Sequence, residues 1–241
     1  MIATIVRGES AFDRLAADQI LKTMREKPDA VIGLSTGRTT GAMHRLVAES
    51  WKAAPFDISR ITFFGLDEVT GVSPLYAGAC VAMLRNEIID PLGIDDDHFL
   101  MLPTRSDDFP AACRDFKAEL DRRGGIDLLV LGLGENGHLG FNQPGSPFDS
   151  RTRVSVMYPE LEERIRRETA TPPEIPLGGV TLGLADIMEA KRILLVAKGR
   201  NKASIVRKII KGPVTEAVPA SILQNHPNCE YLLDHLAASH L

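Results

Sequence analysis

The sequence predicts an α/β fold: a single doubly wound, mostly parallel sheet with helices on both faces and a lid excursion. Two observations carry this prediction. Short, near-continuous apolar runs alternate with segments whose apolar residues recur three and four positions apart, as expected for buried parallel strands separated by helices. No internal repeat or linker divides the 241 residues, so we expect one domain over 1–241.

The first part of the chain predicts two strand–helix pairs. Residues 1–9 predict a short strand, and Ser10 is positioned to cap a helix that ends before Pro28. The apolar run 29–34 predicts the second strand. A tight loop over 35–41 follows it, and helical spacing of apolar residues resumes directly afterwards.

The middle of the chain continues the alternation. The run 61–66 predicts a buried strand that ends at an acidic pair, and helices are predicted near 77–89 and over 111–123. The most apolar segment of the chain, 126–133, predicts a central strand. It opens into a loop rich in glycine over 134–145.

The last part of the chain predicts a strand over 192–197, a helix over 202–211 and a strand over 229–233 that closes the sheet. The segment 143–176 interrupts this alternation, because it combines six prolines with a charged, helix-like run over 160–168. We interpret 143–176 as a lid and not as a second domain.

Composition limits the classes of function. The chain carries 28 Lys and Arg against 32 Asp and Glu, a net charge of -4, which is the wrong sign for binding nucleic acid through its phosphates. No stretch approaches the roughly 20 apolar residues of a membrane span. Three widely separated cysteines form neither a disulfide framework nor a zinc-ligand pair. We expect a cytoplasmic protein that binds a small molecule, with no metal or cofactor; a homo-oligomer is one open alternative.

Three polar loops follow apolar strands, at the sheet edge where open parallel sheets bind ligands. The first combines four hydroxyls, a flexible glycine and a guanidinium at the start of a helix, a setting that favours an anion such as phosphate. Its residues are Ser35, Thr36, Gly37, Arg38, Thr39 and Thr40. An ordinary helix cap with solvent-facing hydroxyls explains the same residues equally well.

The second and third loops carry candidate acid–base groups. Side chains alternate along a strand, so only one of Asp67 and Glu68 can point to a given face; one is a candidate base and the other a structural group. His138 lies between Gly137 and Gly140, and its near-neutral pKa suits proton transfer. The alternatives are a helix cap or surface turn for the acidic pair and a loop-stabilising role for the histidine.

Two sets of basic residues are candidate phosphate ligands. Lys202 lies at a predicted helix start, and Arg164, Arg166 and Arg167 lie in the predicted lid. Basic residues on exposed helices are more often simply solvated.

These loops resemble those of the glucosamine-6-phosphate deaminase/isomerase family, whose fold is shared with 6-phosphogluconolactonases. The resemblance covers nearly the whole chain in order. The matching runs are 33–40, 66–68, 131–145, 150–153, 180–184, 199–202 and 219–227. Over 131–140 and 180–186 the sequence is most similar to the galactosamine-6-phosphate isomerase branch of the family.

The resemblance implies an enzyme that opens a 2-amino-2-deoxyhexose 6-phosphate, moves a proton between C2 and C1 and releases ammonia to leave a ketose phosphate. It implies Asp67 as the base that shuttles the C2 proton and His138 as the group that assists ring opening at O5. It also implies a phosphate held by loop 35–40 with Lys202 and Arg167. Galactosamine 6-phosphate is the favoured substrate and glucosamine 6-phosphate the alternative.

Two positions near His138 depart from the resemblance and belong to the candidate catalytic set. Deaminases of the family commonly have Asp and Glu where this chain has Asn136 and Gln143. A carboxylate raises the pKa of a neighbouring imidazole, whereas an amide only orients it, so we expect weaker protonation of His138. Two alternatives stay open: a 6-phosphogluconolactonase and a sugar-phosphate-binding protein with impaired catalysis.

Overall fold

The computed structural model describes residues 2–241; Met1, which the first predicted strand included, lies outside them. Ten strands occur within this range. In chain order they are β1 (Ile2–Val6), β2 (Val31–Leu34), β3 (Thr62–Gly65), β4 (Asp67–Thr70), β5 (Phe99–Leu100), β6 (Leu128–Gly132), β7 (Arg153–Ser155), β8 (Gly178–Thr181), β9 (Ile193–Ala197) and β10 (Cys229–Asp234).

Seven of these strands form one central sheet in the order β1-β10-β9-β6-β2-β3-β5, and every neighbouring pair is parallel. The predicted parallel sheet is therefore confirmed. The structure adds a second, antiparallel sheet of three short strands, β4-β8-β7, which the sequence does not predict.

The helices lie between the strands, largely as predicted. In chain order they are α1 (Glu9–Glu26), α2 (Gly41–Ala53), α3 (Cys80–Leu84), α4 (Asp90–Leu92), α5 (Phe109–Arg122), α6 (Pro159–Thr169), α7 (Leu184–Met188) and α8 (Ala203–Lys211). A π-helical turn, Arg85–Ile89, joins α3 to α4, so the helix predicted near 77–89 begins and ends three residues later than expected.

The predicted cap at Ser10 is wrong. Helix α1 begins at Glu9 and its cap position is Gly8, which has no side chain to accept a hydrogen bond. Gly8 has φ +89°, a backbone conformation that favours glycine over serine. The turn into the helix therefore occurs two residues earlier than the hydroxyl suggests.

Helices cover both faces of the central sheet, as the unbroken apolar strands require. Along β6, Leu128 and Val130 pack into the core formed with α1 and α2. Leu129 and Leu131 pack into the core formed with α5, α7 and α8 on the opposite face. All four side chains are fully buried, which explains why this segment lacks the polar alternation of a half-exposed strand.

The two central strands β2 and β6 define where a ligand can enter. The chain leaves β2 toward β3 on one side, whereas from β6 it reaches β9 on the other side. A crevice forms between such strands at their carboxyl ends. The N–H of Gly132 donates to Oγ of Ser35 over 2.8 Å, joining the two strand ends below this crevice.

The segment 143–176 contains β7 and α6 and packs on the small sheet. Met157 and Ile165 of this segment form an apolar cluster with Val69 and Phe141. Among residues 2–241, no helix has the length and apolar character needed to cross a membrane.

Candidate active site

A cleft of about 990 Å³ opens at the carboxyl ends of the central strands. It brings together most of the residues that the sequence singled out. The predicted residues that line it are Ser35, Thr36, Gly37, Arg38, Thr39, Thr40, Asp67, Asn136, His138 and Lys202. Residues from three polar loops thus face one space, although these loops are far apart in the chain.

The loop 35–40 presents backbone donors at the start of α2. Thr40 and Gly41 donate their N–H groups to the carbonyl of Gly37 over 3.2 Å each, which begins the helix. Within the described residues, no carbonyl accepts from the N–H groups of 36–39. Gly37 has φ +132°, so the chain can turn there without strain. Free amides at a helix start suit an anionic ligand.

Two cationic side chains lie at this loop. Arg38 is exposed within it, and Lys202 is half-buried at the end of the 3₁₀-helical turn Arg200–Lys202. Burial lowers the pKa of Lys202; Glu135 opposes this and Arg38 adds to it. The influence of Arg38 on Lys202 indicates that both charges act on the same part of the cleft, where a phosphate would reduce their repulsion.

Of the acidic pair Asp67 and Glu68, Asp67 is the residue that lines the cleft. Burial, and secondarily the charge of Glu68, raises the pKa of Asp67 to about 7, while a hydrogen bond from Cys80 opposes the rise. A carboxyl with a pKa near 7 can both take and return a proton at neutral pH.

Gly140 brings the third loop against this carboxyl group. It has φ +56°, and a Cβ placed on it would lie 2.6 Å from Oγ1 of Thr181 and 3.3 Å from Oδ2 of Asp67. A side chain at this position would therefore collide with β8 and crowd the carboxylate. The glycine lets the loop that carries His138 approach Asp67.

Glu68 points away from the cleft and is fully buried. Its carboxylate accepts the backbone N–H groups of Val69, Cys80 and Val81 at 2.7, 2.8 and 2.8 Å. Burial raises the pKa of Glu68, and the three N–H groups only partly oppose the rise. The acidic pair therefore divides as strand alternation predicts: Asp67 faces the cleft, and Glu68 binds the first turn of α3.

Hydrogen bonds determine which ring nitrogen of His138 carries the proton. Nδ2 of Asn136 donates to Oε1 of Gln143 over 3.1 Å, so Oδ1 of Asn136 faces the histidine. This oxygen accepts from the N–H of His138 at 3.1 Å and lies 2.7 Å from ring Nδ1. An amide oxygen cannot donate, so Nδ1 carries the proton, and Nε2 of the neutral ring is left as an acceptor.

The neutral ring is also favoured electrostatically. Burial lowers the pKa of His138, and the nearby charge of Lys202 lowers it further. At neutral pH His138 therefore offers a proton-accepting nitrogen to the cleft. Gln143 is not among the residues that line the cleft; it accepts from Asn136, and its own Nε2 is buried without a partner among residues 2–241.

The structure does not place Arg167 at the cleft. Arg167 lies in the last turn of α6, about 12 Å along the helix from Pro159 at 1.5 Å per residue. The first turn of α6 faces the cleft instead and contributes Tyr158 and Glu160 to its lining. The ring centroid of Tyr158 is 6.3 Å from that of His138.

Sequence reasoning missed Tyr158 and Glu160, and also Lys198, Asn201 and Glu9 in the lining. A usable signal existed for one of them, because Lys198 directly follows the predicted strand over 192–197, where a ligand-facing residue is expected. However, Lys198 already forms ion pairs: its Nζ lies 2.8 Å from a carboxylate oxygen of Glu9 and 3.0 Å from one of Asp13.

Comparisons with known proteins show the family of the chain. The family model for glucosamine-6-phosphate isomerases/6-phosphogluconolactonase matches residues 9–231. A glucosamine-6-phosphate deaminase of Pseudarthrobacter chlorophenolicus is 37% identical over 241 residues, covering 100% of this chain and 93% of the relative. One from Rhodopirellula baltica is 38% identical over 231 residues, covering 96% and 92%.

Solved structures give the same result for the fold. A monomeric glucosamine-6-phosphate deaminase superposes with a TM-score of 0.92 at 31% identity, covering 100% of both chains. A 6-phosphogluconolactonase from Trypanosoma cruzi superposes with a TM-score of 0.80, but its 18% identity shows the fold alone. The resemblance predicted from the sequence is confirmed. The chain is an enzyme of the glucosamine-6-phosphate isomerase/6-phosphogluconolactonase family.

Proposed function

We propose that the protein converts glucosamine 6-phosphate into a ketose 6-phosphate and ammonia. The observation that carries this proposal is the convergence in one cleft of an anion-binding loop, a carboxyl group whose pKa lies near 7, and a neutral imidazole with a free Nε2. The relatives described above are named for glucosamine 6-phosphate, which favours this epimer. Galactosamine 6-phosphate, which the sequence alone favoured, is the second candidate substrate.

In the proposed complex, the substrate phosphate accepts hydrogen bonds from the N–H groups of 36–39 and the hydroxyls of the same loop. Arg38 and Lys202 supply the positive charge. Because this anchor, Asp67 and His138 line the same cleft, a phosphate bound to the loop leaves the sugar carbons within the cleft beside Asp67 and His138. Arg167 would join this set only if the segment 143–176 moves.

The first chemical step in this proposal is ring opening. Nε2 of His138 takes the proton from the anomeric hydroxyl as the bond between C1 and O5 breaks, and the imidazolium returns that proton to O5. The ring thus ends neutral. Asn136 holds Nδ1–H throughout, so the ring does not rotate during the transfer.

The second step moves the C2 proton. Asp67, as a carboxylate, removes it from the open-chain sugar, and O1 takes a proton from the ammonium group on C2, which gives an enolamine. Asp67 then returns its proton to C1, which gives an iminium ion at C2. Water adds to the iminium carbon, and the nitrogen leaves as ammonium, so that C2 becomes the ketone carbon. A pKa near 7 suits this role, because the same group must take a proton and then release it.

An assay of ammonia release tests the proposal. We expect turnover of glucosamine 6-phosphate, and at least about a hundredfold lower kcat/KM for unphosphorylated glucosamine, because the charged anchor is lost. Galactosamine 6-phosphate in parallel decides the epimer. Hydrolysis of 6-phosphogluconolactone without ammonia release would assign the lactonase activity instead. Binding of amino-sugar phosphates without turnover would indicate a protein with impaired catalysis.

We further propose that 143–176 acts as a lid. This segment supplies Tyr158 and Glu160 to the cleft wall, and their side chains are exposed at the cleft opening. It packs on the small sheet through few buried apolar side chains, such as Met157 and Ile165. Its attachment is therefore weaker than that of the central helices.

Replacing Gln143 by Glu is expected to raise the pKa of His138, because it places a negative charge two hydrogen bonds from the imidazole. The new carboxylate still accepts from Nδ2 of Asn136, and it removes the buried donor that lacks a partner. NMR titration of the His138 ring measures the change. Asn86→Asp adds the same charge at an exposed position and serves as the control.

The kinetic consequence is slower ring opening below pH 7, because the fraction of neutral His138 that can take the proton of the anomeric hydroxyl falls. The two variants are compared by the pKa of His138. If Gln143→Glu and Asn86→Asp give the same pKa, the hydrogen-bonded chain from Gln143 through Asn136 does not act on the ring.

A further inference from the structure

We propose that Cys80 is a positioning residue for the reaction: its thiol holds the Asp67 carboxylate in the cleft and ties it to Thr36 of the anion-binding loop. This inference rests on the proposed role of Asp67 as the base. It assigns a task to a residue that the sequence presents only as a lone cysteine in a helical segment.

The geometry forms a short chain of hydrogen bonds. Oγ1 of Thr36 donates to Sγ of Cys80 over 3.2 Å, and Sγ in turn lies 3.7 Å from Oδ1 of Asp67, within reach for the large sulfur atom. Thr36 and Asp67 both line the cleft. The thiol therefore connects the group proposed to bind phosphate with the group proposed to move the proton.

The backbone holds this thiol in place. Cys80 is the first residue of α3 and is 5% exposed, and its N–H donates to Oε1 of Glu68 over 2.8 Å. Because Glu68 is the chain neighbour of Asp67, Cys80 itself joins α3 to the strand that carries the base at two points. One connection is through the backbone of Cys80 and the other is through its side chain.

The thiol acts as a donor. Burial and the adjacent carboxylates raise the pKa of Cys80 well above its usual value, so the sulfur keeps its proton at neutral pH. A protonated thiol is a poor nucleophile and a poor metal ligand. Its S–H is instead available to the carboxylate beside it, while the thiol accepts from Thr36.

Among the surroundings of Asp67, this thiol is the group that favours the ionised carboxylate. Glu68, on the same strand, and burial both favour the protonated acid. From β8 and the third loop, the groups that approach Asp67 are the hydroxyl of Thr181 and the backbone of Gly140, which carry no charge. Within the described residues, the S–H of Cys80 is the hydrogen-bond donor to the Asp67 side chain.

Removal of the thiol is therefore expected to change the pKa of Asp67 in one direction. A donor to a carboxylate favours its charged form, so Cys80→Ala raises the pKa of Asp67 and leaves less of the active base at low pH. We expect kcat/KM for ammonia release to fall about threefold to tenfold at pH 6 and to approach the wild-type value at pH 8.5. Cys80→Ser restores a hydrogen-bond donor. It is expected to return the acidic side of the pH profile of kcat/KM toward the wild-type position.

Cys113→Ala is the matched control. Cys113 is also a buried cysteine in a helix, but it packs in the apolar core and receives no hydrogen bond in the described structure. Its removal costs a similar volume and is expected to leave the pH profile unchanged. A shift shared by the Cys80→Ala and Cys113→Ala proteins would assign the effect to packing and overturn the proposal.

A second readout does not depend on turnover. The Asp67 carboxyl carbon, labelled with ¹³C and assigned by comparison with Asp67→Asn, is titrated by NMR in wild type and Cys80→Ala. A higher titration midpoint in Cys80→Ala supports the positioning role even if no ammonia is released, an outcome that would contradict only the proposed function. An unchanged or lower midpoint in a folded protein overturns the role of Cys80.

Discussion

Asp67→Asn is expected to lower kcat for ammonia release by about a thousandfold, within the range that a positioned general base contributes. The amide keeps the size of the side chain but cannot take the C2 proton. Binding of glucosamine 6-phosphate is expected to remain, because the proposed phosphate anchor in loop 35–40 is unchanged. Initial rates from a coupled ammonia assay, together with calorimetric titration of the variant, separate these two effects.

The same substitution has a predicted effect on stability. The pKa of Asp67 rises from 3.8 to about 7 on folding, so the folded state binds the proton more tightly than the unfolded state. The stability that Asp67 contributes is therefore lost as pH increases from about 4 to about 7, and Asp67→Asn lacks this contribution, so its stability falls less over the same range. Urea denaturation of both proteins at pH 4.5 and 8 checks this. Full turnover by Asp67→Asn would contradict the assigned role.

Glu68→Ala is expected to lower the free energy of unfolding by about 3 kcal/mol or more. The substitution removes one buried carboxylate and leaves the N–H groups of Cys80 and Val81, at the first turn of α3, and that of Val69 in β4 without this acceptor. Activity should fall as well, because Cys80 and Asp67 are held by the same contacts. Urea denaturation monitored by circular dichroism gives the stability change.

Glu26→Ala provides the comparison for Glu68→Ala. Glu26 forms an exposed pair with Lys22 at 3.8 Å, and such pairs contribute little, so a change below about 0.5 kcal/mol is expected. Glu68→Gln, which keeps one acceptor oxygen, should lie between the two. A Glu68→Ala protein as stable as Glu26→Ala would show that the buried carboxylate does not hold α3 in place.

The central sheet was predictable because burial on both faces leaves a strong pattern. In β6, four consecutive apolar residues divide between two cores, so the whole strand is apolar. The small sheet leaves no such pattern. β4 begins with two acidic residues, β8 with two glycines, and β7 is only partly buried, so each segment resembles a loop when it is considered alone.

The location of the candidate site was predictable from the ends of the strands. Which side chains of each segment face the cleft was not. Strand alternation states that Asp67 and Glu68 face opposite directions, but the position of α3 decides which of them is buried. The same limit applies to Arg167 and Tyr158, because the sequence predicts a helix in the lid without showing which end faces the cleft. The sequence around Cys80 did not indicate its proposed role, because that role depends on contacts with residues that are distant in the chain.

The central claim is that one phosphorylated amino sugar contacts the anion-binding loop, the base and the imidazole together. NMR titration of glucosamine 6-phosphate into isotopically labelled Asp67→Asn, which binds without turnover, tests it most directly. We predict that the amide signals of 36–40 and the ring signals of His138 shift with one saturation curve and one Kd. Saturation of the loop amides with no change at His138 would contradict the account, because the phosphate site and the imidazole would then serve different ligands.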